Sequence, residues 1–377
     1  MTRPRQSIFR FRRHGTLVAA DAPMHLEWLA GFLAPYFTLS HDGTADWRVT
    51  FSAAADRYER LHAQGAHPSG DLIPFFALDS RLVELPRWSG PPGDELVVFD
   101  EEFQVFYGVR RHSHEVFVLA SSPRLWTRVA LMRVVRELAM EASARDGAFC
   151  VHAAAFEVGG SVFLIAGPKH AGKTTLLIHA LTSERTRLVA NDRVIVSKEI
   201  AGFSAHGMPT LVSIRPGTRR LLGGVLGTAE WAADQACLAD GEADQYAGRP
   251  LGRDERMILS PDQFSRMLGK TQVAAGRLAA IVFPFVDPRG HGLPLTRMTA
   301  SEASGHLCSS MFRARSQRKV AGTFAGPQPA GEADEDRFRR ELVREIPMLR
   351  CSLGPRAYPG PTGGRSFVEE LTQWQPA

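Results

Sequence analysis

Lysine is scarce in this sequence. Of its 377 residues 45 are basic, but only 5 of these are lysine and 40 are arginine. The excess of arginine has two interpretations, a GC-rich genome that writes arginine for lysine, or a surface that binds nucleic acid. No basic-aromatic motif or nucleic-acid module accompanies the net charge of +5. We therefore favour the compositional interpretation and expect no nucleic-acid partner.

The sequence also has few cysteines and no long apolar run. Its four cysteines are widely separated, and no Cys-x-x-Cys pair is present, so neither a zinc site nor a disulfide framework is indicated. No apolar stretch approaches the length of a membrane-spanning helix. The arginine-rich start lacks the apolar core of a signal peptide. Together these absences predict a cytoplasmic protein without a membrane partner.

The chain is long enough for two domains. Residues 1–120 mix helical and strand patterns and are expected to form a small α+β domain. Residues 121–147 carry one apolar helical stripe and predict a connecting helix. Residues 148–377 hold the strongest motif. Within them, residues 223–255 and 316–336 are rich in glycine and small or acidic residues and are predicted to be mobile loops.

Shorter patterns give further expectations. Three runs at 95–100, 103–109 and 115–120 are separated by polar turns and predict an antiparallel meander. His112 and His114 flank one of these turns and are interpreted as solvated loop residues rather than metal ligands. The proline- and glycine-rich residues 354–366 are predicted to be loop.

The strongest motif is an eight-residue segment of the form Gly, four residues, Gly-Lys-Thr. An apolar run at 161–166 precedes it and a helical pattern at 175–181 follows it, which is the context that a phosphate-binding loop requires. Its glycines let backbone N–H groups surround a phosphate at a helix N-terminus. We expect the nucleotide site to comprise Gly167, Pro168, Lys169, His170, Ala171, Gly172, Lys173, Thr174 and Thr175.

Individual residues of this phosphate loop (residues 167–174) have expected roles. Lys173 would reach the β- and γ-phosphates, and the Thr174 hydroxyl would ligate Mg²⁺. A second segment, Gly269-Lys270-Thr271, repeats the end of the motif but has Phe264 where the first glycine should be. We interpret that second segment as a plain turn. The loop predicts a nucleoside triphosphate and Mg²⁺ as cofactors.

A strand pattern ending in Asn191-Asp192 follows the phosphate-loop helix. An acid at the end of an apolar strand, at this distance from a phosphate loop, is typical of a magnesium-site carboxylate. The alternative is a hairpin turn that uses the Asn-Asp pair. We favour the magnesium site and leave the turn open.

The loop alone does not fix the activity, because phosphate loops serve many enzymes. A guanine-binding GTPase needs an Asn-Lys-x-Asp motif, and a transporter ATPase needs a Leu-Ser-Gly-Gly-like signature; neither is found here. A hairpin before the loop, with a turn at Gly159-Gly160, also differs from the usual parallel order of strands.

Residues 148–196 resemble a known family. His152-Ala153-Ala154, the Gly159-Gly160 turn, the phosphate loop and the run 187–194 look like the catalytic domain of HPr kinase/phosphorylase, and more closely like HPr-kinase-related proteins with a long N-terminal domain. The resemblance implies an α/β (α+β) fold akin to phosphoenolpyruvate carboxykinase, in which a mixed sheet carries the phosphate loop on a hairpin. It also implies a kinase that uses ATP and Mg²⁺, with homo-oligomerisation as one possibility.

The resemblance assigns roles residue by residue. His152 corresponds to a histidine that faces the γ-phosphate, and Asp192 to an acid that binds magnesium and activates a serine hydroxyl. Asn191 stands where the family usually has a second acid, so it would be at best a neutral ligand of the metal or of water. Arg215 is a candidate phosphate clamp. The catalytic set is therefore Asp192, His152 and Lys173, and the metal set Thr174, Asp192 and Asn191.

One family motif is missing. The phosphorylase sequence Glu-Ile-Arg-Gly-Leu-Gly is absent, and residues 213–217 occupy its place without the glutamate. We therefore expect kinase activity without reverse phosphorolysis.

Three functions remain open from the sequence. The first is a kinase for a serine or threonine hydroxyl of a peptide or protein; the family resemblance implies that a ribosomally made peptide could be the substrate and that residues 1–120 would recognise it. The second is a kinase for a free amino acid or metabolite. The third is an ATP-binding regulatory protein that has lost catalysis, since only one acid is present.

Overall fold

The computed structural model describes most of the chain. The described residues are 5–66, 70–76, 82–90, 95–122, 125–215, 217–218, 257–287, 289–290, 292–311, 324, 332–354 and 361–374. The loop predicted at 223–255 lies outside them, as does the one predicted at 316–336, except for Phe324 and residues 332–336. The chain divides into two compact units, residues 1–146 with 315–329, and residues 147–314 with 330–377. Each is described separately below.

The first unit is built on a seven-stranded mixed sheet. Its elements are β1 Arg5–Phe11, β2 His14–Ala20, α1 Pro23–Leu33, β3 Thr38–Ser40, β4 Trp47–Ala53, α2 Ala55–Gln64, β5 Leu72–Phe76, β6 Leu82–Pro86, β7 Leu96–Asp100, β8 Val105–Arg110, β9 Glu115–Ala120 and α3 Leu125–Arg145. The sheet order is β3-β1-β2-β4-β9-β8-β7, and β5 pairs with β6 separately. The predicted meander is confirmed, because β7, β8 and β9 pair antiparallel in sequence order. The helix predicted at 121–147 is α3, which belongs to this unit.

A buried ion pair ties α3 to the meander. Arg133 Nη1 lies 3.5 Å from Asp100 Oδ2, and the backbone N–H of Glu102 donates to Asp100 Oδ1 at 3.0 Å. The Tyr107 hydroxyl donates to the same carboxylate at 3.5 Å, and its ring packs against Phe324. Burial raises the pKa of Asp100, and the charge of Arg133 opposes that rise. Arg133 thus supplies a compensating charge to this buried carboxylate, which also accepts hydrogen bonds.

The histidines at the turn of the meander are engaged within the unit. His112 is exposed and its Nδ1 lies 2.7 Å from Glu95 Oε1. His114 stacks on Trp47 with ring centroids 5.0 Å apart. Among the described residues no group of three or more His, Cys, Asp or Glu could hold a metal ion. No helix in the described part of the chain is long and apolar enough to cross a membrane.

The second unit has an eight-stranded mixed sheet with helices on both faces. Its elements are β10 Phe149–Val158, β11 Ser161–Ala166, α4 Lys173–Leu181, β12 Thr186–Ala190, β13 Arg193–Glu199, β14 Gly202–Met208, β15 Val212–Ile214, β16 Met257–Leu259, α5 Pro261–Met267, β17 Ala275–Val286, β18 Leu295–Arg297, α6 Ala300–Ser310, α7 Glu332–Glu345, β19 Met348–Leu353 and α8 Pro361–Thr372. The order is β11-β10-β13-β14-β17-β19-β18; the eighth strand, β12, pairs with β10 off this path, and β11 also pairs with β17 in parallel. Both units therefore mix helices and strands, as the predicted α/β (α+β) class requires.

The two faces of this sheet bury alternate residues, as the period of a strand dictates. On β11, Phe163 and Ile165 pack in a cluster with residues of α4 and α8. Val162 and Leu164 pack on the opposite face with residues of α6 and α7. Full burial on both faces explains why β11 has the continuous apolar sequence Val-Phe-Leu-Ile-Ala. The phosphate loop thus begins at the end of a strand fixed from both sides.

The C-terminal prediction was wrong in part. Residues 354–366 were expected to be loop, but α8 begins at Pro361, and α7 begins at Glu332 inside the segment expected to be mobile. Phe367, Val368 and Leu371 of α8 are buried in the cluster that contains residues of α4. Burial of this apolar face stabilises a helix whose own sequence, with glycine at 363 and 364, is a poor helix former.

The hairpin before the phosphate loop is fixed at both its strands and its turn. Phe156 of β10 lies directly opposite Phe163 of β11, with ring centroids 5.5 Å apart. Gly159 and Gly160 both have positive φ (58° and 85°), which a tight hairpin turn requires. The buried Glu157 accepts hydrogen bonds from the Gly160 backbone N–H and from Arg187 Nε at 2.6 Å. These contacts hold the register that presents the loop.

Candidate functional site

The phosphate loop connects β11 to α4, in the order that the sequence predicts. Gly172 caps α4 in the left-handed region, with φ +96°, and Gly167 has φ +151°. A Cβ added to Gly172 would come within 2.5 Å of Leu353 Cδ1. Glycine is needed at 172 both for its backbone angle and for space. The phosphate loop therefore ends at the N-terminus of α4, and a helix N-terminus is a favourable place for an anion to bind.

Lys173 is buried beneath the loop. Its Nζ donates to the carbonyl oxygens of Gly167 at 2.9 Å and Pro168 at 3.1 Å, and the residue is only 8% exposed. Burial lowers its pKa to about 8, although the charge of Asp192 acts in the opposite direction. An ammonium group held among neutral carbonyls gains more from a nearby anion than a solvated one does. This feature fits a polyphosphate ligand.

Asp192 and His152 form a pair next to this lysine. His152 Nε2 lies 3.0 Å from Asp192 Oδ1, and Arg193 Nε lies 3.8 Å from Asp192 Oδ2. Burial alone would raise the pKa of Asp192, but the hydrogen bond and charge of His152, followed by the charges of Arg193 and Lys173, hold it well below its ordinary value. Asp192 is thus an ionised carboxylate close to three basic side chains, those of His152, Arg193 and Lys173.

The strand that carries Asp192 is interrupted without turning back. β12 and β13 both pair antiparallel with β10, so that Ala190 lies opposite Ala155 and Arg193 lies opposite His152. Asn191 and Asp192 form the bend between the two strands. The alternative of a hairpin turn at Asn-Asp is therefore wrong, because a hairpin would reverse the chain instead of continuing it along β10.

The side chain of Asn191 makes its hydrogen bonds with two residues that precede β15. Its Nδ2 donates to the Leu211 carbonyl at 3.2 Å, and its Oδ1 accepts from the Thr210 hydroxyl at 3.0 Å. The residue is 9% exposed. Its predicted role as a metal ligand stays a prediction, but both ends of its side chain are occupied by these two residues.

The remaining predicted residues lie along the loop and α4. Pro168, Lys169 and His170 are exposed, whereas Ala171, Thr174 and Thr175 are half-buried. Thr175 Oγ1 lies 3.1 Å from Thr218 Oγ1.

Arg215 reaches the loop itself. Its Nη1 donates to His170 Nδ1 at 2.8 Å, and His170 has an unusual φ of +73°. Sequence reasoning missed this contact and the partners of Asn191, since they link residues 45 and about 20 positions apart and leave no local pattern.

The donor set fits Mg²⁺ bound together with a phosphorylated ligand. Asp192 supplies one ionised carboxylate and Thr174 one hydroxyl near the start of α4. Magnesium in nucleotide enzymes is usually held by one or two carboxylates and by substrate phosphates rather than by a cage of protein ligands.

No protein-family model matches this sequence, and no curated protein does either. The functional conclusion therefore depends on the geometry above and on the sequence resemblance.

Proposed function

We propose that this chain is an ATP- and Mg²⁺-dependent kinase that transfers the γ-phosphate to a serine or threonine hydroxyl of a peptide or protein. In this proposal the second unit has the HPr kinase and phosphoenolpyruvate carboxykinase type of fold. The observation that carries the proposal is the ionised Asp192 paired with His152 beside the buried Lys173. An ionised carboxylate beside the phosphate loop can hold Mg²⁺ and can accept the proton of an acceptor hydroxyl, and a kinase needs both roles.

Phosphoryl transfer depends on positioning and on charge stabilisation more than on covalent chemistry. Lys173 would leave the carbonyls of Gly167 and Pro168 and donate to the β- and γ-phosphates. The loop N–H groups would donate to the same oxygens. Asp192 and Thr174 would hold Mg²⁺, which would further neutralise the phosphate charge.

Asp192 would accept the proton of the acceptor hydroxyl while the oxygen of that hydroxyl forms a bond to the γ-phosphorus and the bond between the γ-phosphorus and ADP breaks. His152 donates to Asp192 in the structure, so its first role is to orient that carboxylate. This differs from the expectation that His152 faces the γ-phosphate directly. The contact of Nε2 with Oδ1 thus fixes the orientation of the carboxylate, whose other oxygen, Oδ2, lies 3.8 Å from Arg193 Nε.

The decisive experiment compares the wild type with Asp192→Asn. Magnesium–ATP binding is measured by calorimetry. Transfer is measured by mass spectrometry, using serine- and threonine-containing synthetic peptides in one reaction and free serine and threonine in another. We expect phosphorylated peptide with the wild type, and none with Asp192→Asn although ATP still binds.

Asp262→Asn is the matched control, because Asp262 is an exposed carboxylate of the same unit that pairs with Arg266 on α5. It should leave both measurements unchanged. Full transfer by Asp192→Asn would refute the assignment of the base. If the wild type phosphorylates free amino acids but no peptide, the substrate is a small molecule and not a peptide. If the wild type binds ATP but forms neither product, the protein is not catalytic.

A further inference from the structure

Asn191 is the only asparagine in the 377 residues. Its amide makes two hydrogen bonds: Nδ2 donates to the Leu211 carbonyl, and Oδ1 accepts from the Thr210 hydroxyl. Because a carbonyl oxygen can only accept, Nδ2 must be the atom that faces Leu211. The side chain is therefore required as a donor as well as an acceptor.

The two partners of Asn191 begin the segment that carries Arg215. Thr210 is buried, and the strand β15 that follows inserts Val212 and Ile214 into the cluster that contains Leu176 and Leu177 of α4. The next residue, Arg215, donates to His170 of the phosphate loop. We call residues 209–215 the arginine arm. It is attached to the site at two points, at its start through Asn191 and at its end through His170.

We propose that Asn191 is a positioning residue that fastens the arginine arm to the strand break presenting Asp192, and thereby holds Arg215 beside the phosphate loop. This inference rests on the proposed function for its catalytic meaning. The backbone bend that places the Asp192 carboxylate toward Lys173 places the Asn191 amide toward the arm. Neighbouring residues thus set the distance between the carboxylate that accepts the proton and the guanidinium near the phosphate.

An acid at position 191 would break this attachment. A carboxylate has no donor for the Leu211 carbonyl, and one of its oxygens would lie about where Nδ2 is now, 3.2 Å from that carbonyl oxygen. The two negatively polarised atoms would repel each other. The arm therefore requires an asparagine at position 191. If position 191 is the place of a second catalytic acid, Asn191→Asp should raise activity. If the amide holds the arm, the same change should lower it.

The test uses the full-length chain and the variants Asn191→Asp and Thr210→Val. Hydrogen–deuterium exchange reports on the backbone of residues 210–215, and transfer from magnesium–ATP gives kcat and KM. For Asn191→Asp we expect faster exchange in these residues and a kcat lowered about tenfold or more, because one hydrogen bond is lost and two oxygens repel each other in its place. The KM for ATP should change less than kcat. Thr210→Val, which removes one bond and keeps the shape, should show a smaller change in the same direction.

Ser265→Ala is the control for general destabilisation. Its buried hydroxyl donates to the Asp262 carbonyl within α5 of the same unit. This variant should lower thermal stability without changing exchange at 210–215 or kcat. An equal loss of kcat in Ser265→Ala and Asn191→Asp would show that Asn191 has only a structural role.

The outcomes separate the inference from the proposed function. Unchanged exchange at 210–215 in Asn191→Asp, or a higher kcat, would overturn the inference even if the wild type is a kinase. A wild type that neither binds magnesium–ATP nor forms product would refute the proposed function. The exchange comparison would still decide whether Asn191 holds the arm.

Discussion

Replacing Lys173 with methionine should make the folded chain more stable and remove nucleotide binding. Burial lowers the pKa of Lys173 from 10.5 to about 8, against the charge of Asp192, so the charged lysine costs about 3 kcal/mol of folding free energy at neutral pH. Methionine has a similar length and no charge. Its loss of the hydrogen bonds to Gly167 and Pro168 costs about 1 kcal/mol each. The net expectation is a gain of about 1 kcal/mol.

The pH dependence of this gain follows from the direction of the shift. Below pH 8 Lys173 is protonated in both states, and the folded state carries the whole penalty. Between pH 8 and 10.5 the unfolded state binds the extra proton, so the free energy of unfolding of the wild type rises with pH. The advantage of Lys173→Met should therefore shrink as the pH rises through this window. Urea unfolding at pH 7 and pH 9.5 measures it.

Nucleotide binding should change in the opposite direction. Loss of charge-assisted hydrogen bonds to phosphate, about 1.5 to 3 kcal/mol each, lowers the affinity for magnesium–ATP about a hundredfold or more. Lys270→Met, in the segment that only repeats the end of the motif, should leave this affinity unchanged. The reasoning is refuted if Lys173→Met destabilises the chain by more than 1 kcal/mol at pH 7, or if it binds magnesium–ATP as the wild type does.

Three further predictions concern stability and binding. Gly172→Ala should lower the free energy of unfolding by about 2 kcal/mol and weaken magnesium–ATP binding, because residue 172 has a positive φ and its new Cβ would meet a methyl group of Leu353. Gly159 also has a positive φ but open space around it, so Gly159→Ala should lower the free energy of unfolding by about 1 kcal/mol. Calorimetry should show that Gly159→Ala still binds ATP. Glu157→Gln should lose about 2 kcal/mol at pH 7 in urea unfolding. Burial raises the pKa of Glu157, but its guanidinium and hairpin N–H partners lower it overall, so the deficit is full above pH 4.5 and disappears as the pH falls below it. Asp100→Ala should destabilise the first unit by about 3 kcal/mol or more, because Arg133 loses a buried counter-charge. Limited proteolysis of this variant should therefore start in the first unit, and ATP binding should persist. Cleavage that starts in the second unit, or loss of ATP binding, would contradict this prediction.

The order of strand, loop and helix around residues 167–174 could be predicted because its information is local. Eight consecutive residues, with an apolar strand before them and a helix after them, contain the whole pattern. The meander of β7, β8 and β9 was predictable for the same reason. The hairpin at Gly159-Gly160 is equally local, since each glycine supplies a positive φ that the turn needs.

The rest of the site depends on pairings between distant residues. Whether Asn191-Asp192 reverses the chain or continues it is decided by β10, about 40 residues earlier, and no local pattern distinguishes the two. The contact between His170 and Arg215 likewise needs the arginine arm to be folded. The helix α8 was missed because packing against α4 outweighs its composition.

The long strand β10 makes the spacing of its residues as important as their identity. His152 shares a face with Ala154 and Phe156, which pack in the cluster that includes residues of α4, whereas Val151 and Ala153 face the other side of the sheet. Because the period of a strand is two, inserting or deleting one residue after His152 would turn it to the face of α6 and α7. Such a change would separate the histidine from Asp192 while leaving every residue of both motifs present. In this part of the chain, a variant can therefore keep each recognisable residue and still lose the site through its length alone.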